Sequence, residues 1–234
     1  MNSNHSAKDQ HLCEACLFKR LSTNFISTDD FCHIEKHTQQ LRYKKGDTIL
    51  KQGANTTHLV FLFKGIVKFE FENTNGKNLI LTVVSAPKLL GGANMFYKNQ
   101  NLFSICAVED CDVCFIELNV FREILLKNSR YALMLFEKAS EMFKVSILNF
   151  ISLAHKQIHG RIADILIYLA ESVYCSRRFD LSLTRKELAD FAGCSQENVI
   201  ITLSKFKKEG IIKMEKKDFE IVDYDKLLTI SKIG

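Results

Sequence analysis

LTRKELADFAGCSQENVIITLSKFKKEGII, residues Leu183 to Ile212, carries two short helical patterns on either side of Ala192-Gly193-Cys194. Thr184 and Glu187 stand three apart and predict a capping box, in which each side chain satisfies a free backbone N–H at a helix start. Gly193 sits where the first helix must stop and the chain must turn sharply. Ser195 is then the predicted N-cap of a second helix. Val199, Leu203 and Phe206 recur at helical spacing, so that helix buries one stripe. A helix, a tight turn and a second helix form the geometry that lays the second helix in the DNA major groove. The plain alternative is an ordinary helical hairpin.

Working outward, IIKMEKKDFEIVD has two short apolar runs around Lys216-Lys217-Asp218, the pattern of a β-hairpin wing. On the other side, RIADILIYLAESV is an amphipathic helix, Cys175 to Asp180 a loop, and His155 to Gly160 a hinge. A helix of about 25 residues opens at Asn128 or Ser129. Its apolar stripe holds Ala132, Leu135, Phe136, Ala139, Met142, Phe143, Ile147, Phe150 and Ile151, with Leu133, Val145 and Leu148 off it. A helix apolar on more than one face must bury two faces, one on its own domain and the other on a second copy. The alternative is a helix enclosed by one subunit. Asn119 is placed to cap a short helix, VFREILLK.

From Leu41 to Leu118 the period is that of strands. Gly46-Asp47, Gly53-Ala54-Asn55, Lys64-Gly65 and Asn75-Gly76 punctuate short runs at roughly ten-residue spacing. Val67, Phe69 and Phe71 alternate with Lys68, Glu70 and Glu72, as a half-buried antiparallel strand requires. Asn75-Gly76 predicts a hairpin turn, and further strands fall at Leu102–Val108 and Val113–Leu118. The expected fold is therefore α+β: an antiparallel β-roll, a long dimerisation helix and a C-terminal winged helix-turn-helix. Ile26 to Gln40 reads as a short helix with Asp29 and Asp30 near its start. The domains divide as a tail with CxxC at 1–25, a β-roll at 26–118, the dimerisation helix at 119–154 and the winged domain at 155–234.

Composition narrows the class. The chain has 234 residues, 47% hydrophobic and 25% charged, enough for real cores. No apolar run reaches a membrane span, and MNSNHSAKDQ lacks a signal-peptide core, so a cytoplasmic protein is expected. A formal charge of +5 is mild, and Leu181–Gly234 holds ten Lys/Arg against nine Asp/Glu, a net of +1. DNA binding would rest on local placement rather than a bulk field. Enzyme chemistry on such a roll needs clustered His and carboxylate ligands. Of the seven His only His33/His37 and His155/His159 share helical spacing, and neither pair falls on a predicted strand, so no enzyme is expected.

KKGDTILKQGA, RIADILIYLA and LTRKELADFAGCSQENVIITLSKFKKEGII together resemble the Crp/Fnr family of bacterial transcription regulators, from Cys13 to about Ile230. The resemblance implies a cytosolic homodimer that binds near-palindromic double-stranded promoter DNA and contacts RNA polymerase. It also implies an effector in the β-roll that repositions the recognition helices through the long helix. Members that bind cyclic AMP are similar in a Gly-Glu-Leu and an Arg-Ser-Ala, whereas this chain has Gly91-Gly92-Ala93 and Phe103-Ser104-Ile105. Phe103 offers no charge to a phosphate, so cyclic AMP is not the expected effector.

HLCEAC and DVCFI resemble the oxygen sensors of the family, which hold a four-iron four-sulfur (4Fe-4S) cluster on three N-terminal Cys and one on the last roll strand. Cys13, Cys16 and Cys114 fall on three of those positions and Ser22 on the fourth, with Cys32, Cys106 and Cys111 as substitutes. Three readings stand: a cluster, a thiol redox switch, and structural thiols.

The resemblance places a Glu and, four residues later, an Arg on the base-reading face. Here these are Glu197 and Ile201. Glu197 would accept from cytosine, Gln196 is the remaining polar reader, and Ile200 and Ile201 would meet thymine methyls unless they are buried against the roll or wing. Thr184, Arg185, Ser195 and Lys205, with Lys207 and Lys208, are placed for phosphates. The expected function is a sequence-specific DNA-binding regulator gated by an effector or redox signal. The alternative is an effector sensor that acts through protein contacts.

Overall fold

The computed structural model describes residues 17–22, 24–73, 77–91 and 100–234; the polar tail, Cys13, Cys16, Gly92-Ala93 and the Asn75-Gly76 turn lie outside them. In chain order come α1 (Leu17–Ser22), α2 (Thr28–Lys36), β1 (Thr38–Tyr43), β2 (Thr48–Leu50), β3 (His58–Lys64), β4 (Ile66–Phe71), β5 (Leu79–Ser85), β6 (Lys88–Leu90), β7 (Ser104–Ala107) and β8 (Cys111–Glu117). Then follow α3 (Leu118–Lys127), α4 (Ser129–His155), α5 (Ile158–Tyr168) with a π-turn at Leu169–Val173, β9 (Arg178–Asp180), α6 (Arg185–Ala192), α7 (Gln196–Lys208), β10 (Ile212–Glu215), β11 (Asp218–Ile221) and α8 (Tyr224–Ile233).

Strands β1 to β8 form two antiparallel sheets, ordered β1-β8-β3-β6 and β2-β7-β4-β5. Val60, Leu62 and Val113 of the first meet Val67, Phe69 and Ile105 of the second in a common core. Strand β3 is buried on both faces: Leu59 and Phe61 point the other way, under a cover built from α1, α2, α3 and Tyr131 of α4. The outer face of the second sheet is covered too. Ile66, Ile80, Val83 and Val108 join the core of the C-terminal domain.

That second cover corrects the expected alternation of β4. Glu70 is 8% exposed because the face assigned to solvent carries the C-terminal domain instead, while Phe71, the last residue of β4, is 44% exposed. Strands β4 and β5 pair antiparallel on either side of the expected hairpin turn. The helix expected to reach Gln40 ends at Lys36, capped by Ser27, and strand β1 begins at Thr38. Strand β8 runs directly into α3, so Asn119 lies inside that helix and does not cap it.

Helix α4 has 27 residues, capped by Asn128, which accepts from the Tyr131 N–H. It is not enclosed by its own subunit: Leu133, Phe136, Phe143, Ile147, Leu148, Phe150 and Ile151 are 43–71% exposed. Leu133, expected off the stripe, falls in the same 3-4 heptad spacing as Phe136, Phe143, Ile147 and Phe150. Leu135 and Met142, expected on it, pack inward on their own domain.

The hinge is shorter than expected. Only Lys156 and Gln157 separate α4 from α5, and Gly160 lies inside α5, where it lets Gly234, the residue after α8, approach. The Asp164 carboxylate gathers this corner: Ser152 of α4 donates to it at 2.5 Å, Lys156 at 2.8 Å and Ser231 of α8 at 2.5 Å. The expected loop Cys175–Asp180 contains β9, which joins the wing in the order β10-β11-β9. No helix among the described residues is long and apolar enough to cross a membrane.

Candidate nucleic-acid interface

The capping box at the start of α6 is complete. Thr184 Oγ1 accepts from the Glu187 N–H at 3.1 Å, and Glu187 Oε2 accepts from the Thr184 N–H at 2.8 Å. Helix α6 ends at Gly193, whose φ of 58° is left-handed, and Arg161 Nη1 donates to the Gly193 carbonyl at 3.3 Å. A Cβ at this position would sit 2.9 Å from Leu153 Cδ2, so the turn needs glycine for both conformation and space. Ser195 then caps α7, its Oγ accepting from the Asn198 N–H at 3.3 Å.

Helix α7 divides cleanly. Val199, Thr202, Leu203 and Phe206 are at most 1% exposed and lock it into the domain core. Gln196, Glu197, Ile200, Ile201, Ser204 and Lys205 all face solvent. Ile200 and Ile201 are 47% and 61% exposed, so burial against the roll or wing does not account for them. The Glu197 carboxyl is held below its ordinary range by its own backbone N–H and by Ser195, and it stays ionised near neutral pH.

The wing supports α7 from one side. Lys207 Nζ donates to the Met214 carbonyl at 3.1 Å, and Arg178 grips Asp218 through two bonds of 3.1 and 2.9 Å across β9 and β11. Lys216, with φ 53°, turns the hairpin, and Lys213, Lys216 and Lys217 are exposed cations there. Arg185 is half-buried, its guanidinium against Met214 Sδ, and burial lowers its pKa. Of the residues expected at phosphates, Lys205 is open, Thr184 and Ser195 are exposed but occupied by their caps, and Arg185 is committed to the wing.

The sequence reading missed the contact between this motif and the roll. Lys68 of β4 lies 3.3 Å from Glu70 and 3.1 Å from Glu187, with these side chains 10–17% exposed. Lys45 Nζ also donates to the Ser182 carbonyl at 2.5 Å, and the Tyr168 hydroxyl to the Val83 carbonyl at 2.7 Å. A Lys-x-Glu on a strand read as solvent-facing was the available signal, but its partner lies over a hundred residues on.

The expected cluster ligands do not come together among the described residues. Cys114 faces the outer cover of the first sheet, beside the core that holds Phe18 of α1. Ser22 is buried at 3% exposed, with its hydroxyl 3.3 Å from Tyr131 Oη. Cys111 faces the roll interior, Cys106 lies near Glu70 on the second sheet, and Cys32 is exposed on α2. Among the described residues there is no group of three His, Cys, Asp or Glu that could hold a metal ion. Cys13 and Cys16, the other two expected ligands, lie outside the described residues. In the roll, Phe103 packs on Phe69 with ring centroids 5.1 Å apart.

Two family models match the chain: the cyclic nucleotide-binding domain over residues 40–128 and the Crp-like helix-turn-helix domain over residues 160–230. The cAMP-activated global transcriptional regulator CRP of Salmonella typhimurium is 26% identical over 185 residues, 77% of this chain and 85% of that protein. Among solved structures, FixK2 from Bradyrhizobium japonicum superposes with a TM-score of 0.76 at 15% identity, covering 84% of this chain and 98% of that one. A regulator from Eubacterium rectale superposes with a TM-score of 0.73 at 18% identity, covering 90% and 97%.

Proposed function

The chain belongs to the Crp/Fnr family of DNA-binding transcription regulators, and on that premise we propose that it is a sequence-specific homodimer whose winged domain is set by a signal received in the β-roll. The observation that carries this reading is the division of α7. Three apolar side chains fix the helix inward, while Gln196, Glu197, Ile200, Ile201 and Lys205 are left facing solvent beyond the Ser195 cap. Gln196, Glu197, Ile200 and Ile201 address base edges; Ser195, Lys205 and the wing cations Lys213, Lys216 and Lys217 address phosphates. Thr184 and Arg185 act mainly by holding α6 and the wing in place. The exposed heptad Leu133, Phe136, Phe143, Ile147 and Phe150 pairs with the same stripe of a second copy, which sets two α7 helices on two half-sites.

The signal is not cyclic AMP. An uncharged ring, Phe103, is packed onto Phe69 where the resembling cyclic-AMP binders place an arginine. A buried phosphate needs a cation or a helix N-terminus. We route no step through an iron–sulfur cluster, because Ser22, which stands at the fourth ligand position, is a hydroxyl committed to Tyr131. An organic effector or a thiol change in the roll remains as the gate. Contact with RNA polymerase and action in the cytoplasm belong to the same proposal.

A second reading, a sensor that works through protein contacts, is favoured by the apolar, arginine-free face of α7. A gel shift of the full chain with promoter DNA decides between them. Retardation that survives excess non-specific competitor supports the regulator; binding abolished equally by any DNA supports the sensor.

A further inference from the structure

Ile200 and Ile201 are large aliphatic side chains that the domain does not need for packing. Val199, Leu203 and Phe206 fill the core side of α7, while the two isoleucines stand 47% and 61% exposed. They lie one turn after Gln196 and Glu197, so the four form one patch on the N-terminal half of the helix. No lysine or arginine occurs in α7 before Lys205, and Glu197 is anionic, its carboxylate drawn toward the helix start. A helix presented to the major groove by such a patch lacks the cationic fork that grips guanine O6 and N7. The groove's one apolar feature is the C5-methyl group of thymine.

We propose that Ile200 and Ile201 read thymine methyl groups, so that the half-site is recognised by methyl contact rather than by charged bonds to guanine. Gln196 completes the readout, since its amide can bond adenine N6 and N7 in the same stretch. The inference rests on the DNA-binding reading above and specifies the chemistry of that face. It assigns specificity to positions that charge and hydrogen-bond counting would pass over.

The test uses the full chain. Sites are selected from random duplex DNA, and in the best site each thymine is replaced singly by deoxyuridine, which removes only the methyl group. We expect one or two positions per half-site at which the substitution weakens binding about fourfold. In the Ile200→Ala and Ile201→Ala variants that penalty should vanish, because the methyl has lost its partner. Both positions lie outside the core, and far-ultraviolet dichroism of the variants checks the fold. Deoxyuridine binding as well as thymine at every position would overturn the inference while leaving DNA binding intact. So would a penalty that persists unchanged in both alanine variants. If selection enriches no sequence at all, the DNA-binding reading falls and this inference with it.

Discussion

Lys68 Nζ lies 3.1 Å from Glu187 Oε1 and thereby joins a strand of the β-roll to the capping carboxylate of the helix-turn-helix. Burial pushes the Lys68 ammonium down, but Glu187 and Glu70 outweigh it and hold the pKa above its ordinary value. Burial likewise pushes the Glu187 carboxyl up, and the Thr184 backbone N–H and Lys68 outweigh that and hold it below its ordinary value. The Glu187 contribution is present above its ordinary value of 4.5 and is lost as pH falls through the depressed one. The Lys68 contribution is present below 10.5 and is lost as pH rises through the raised value. Lys68→Met strands two carboxylates and should destabilise the chain by about 3 kcal/mol near neutral pH. It should also flatten the acid limb of a melting-temperature profile below the ordinary glutamate range. An acid limb as steep as that of the unmodified chain would show that the pair does not link the domains.

The exposed heptad of α4 predicts a second effect. Phe136→Ala with Phe143→Ala removes two rings from each protomer of the proposed dimer and should weaken self-association roughly a hundredfold or more. Sedimentation equilibrium reads this directly. Leu135→Ala should leave association unchanged, because Leu135 packs inside its own subunit.

Gly193 should not tolerate a side chain. Alanine there must adopt a left-handed conformation, at about 1–2 kcal/mol, and displace Leu153. Urea midpoints should fall accordingly, and DNA affinity should fall further than Thr184→Ala makes it fall. That capping change should cost about 1 kcal/mol and leave the turn in place.

Cyclic AMP should not stabilise the chain. A ligand at a hundred times its dissociation constant adds about 2.7 kcal/mol and a visible melting shift. Thermal melts with saturating cyclic AMP should superpose on those without it, and a clear upward shift would contradict the role given to Phe103.

Thiol reactivity should be ranked by burial. Burial pushes the Cys111 thiol up to about 11, so at about pH 8 on the order of one molecule in a thousand carries the thiolate. Cys32 and Cys175 are exposed. Mass spectrometry after brief alkylation of the native chain should find both modified and Cys111 untouched.

The parts of this molecule legible in its sequence are those whose physics is local. The capping box, the Gly193 turn, the Ser195 cap and the stripe Val199-Leu203-Phe206 each depend on residues within a turn or two. What escaped depends on distant partners. Glu70 reads as a solvent-facing strand residue until the C-terminal domain covers it. Leu135 and Leu133 exchange roles because only packing decides which side of α4 meets the roll. Strand β9 is three residues long and exists through its pairing with β11. Helix α8 is a different case: Asp223 accepts from the Lys226 N–H ahead of the apolar Leu227 and Ile230, so its cap was readable. Of the candidate site, the solvent face of α7 was placed from sequence. The commitment of Arg185 to Met214 and of Ser22 to Tyr131 was not, since each joins residues far apart in the chain.

The Asp164 corner turns α4 into a lever. Twenty-seven residues make a rod about 40 Å long. Because Ser152, Lys156 and Ser231 all close on one carboxylate, the rod's end is fastened to the DNA-binding domain. A tilt of about 5° at the roll end sweeps the other end by roughly 3–4 Å, comparable to the 3.4 Å rise between neighbouring phosphates of one strand. With a clamp this tight, a tilt of the rod is passed to the C-terminal domain nearly undiminished.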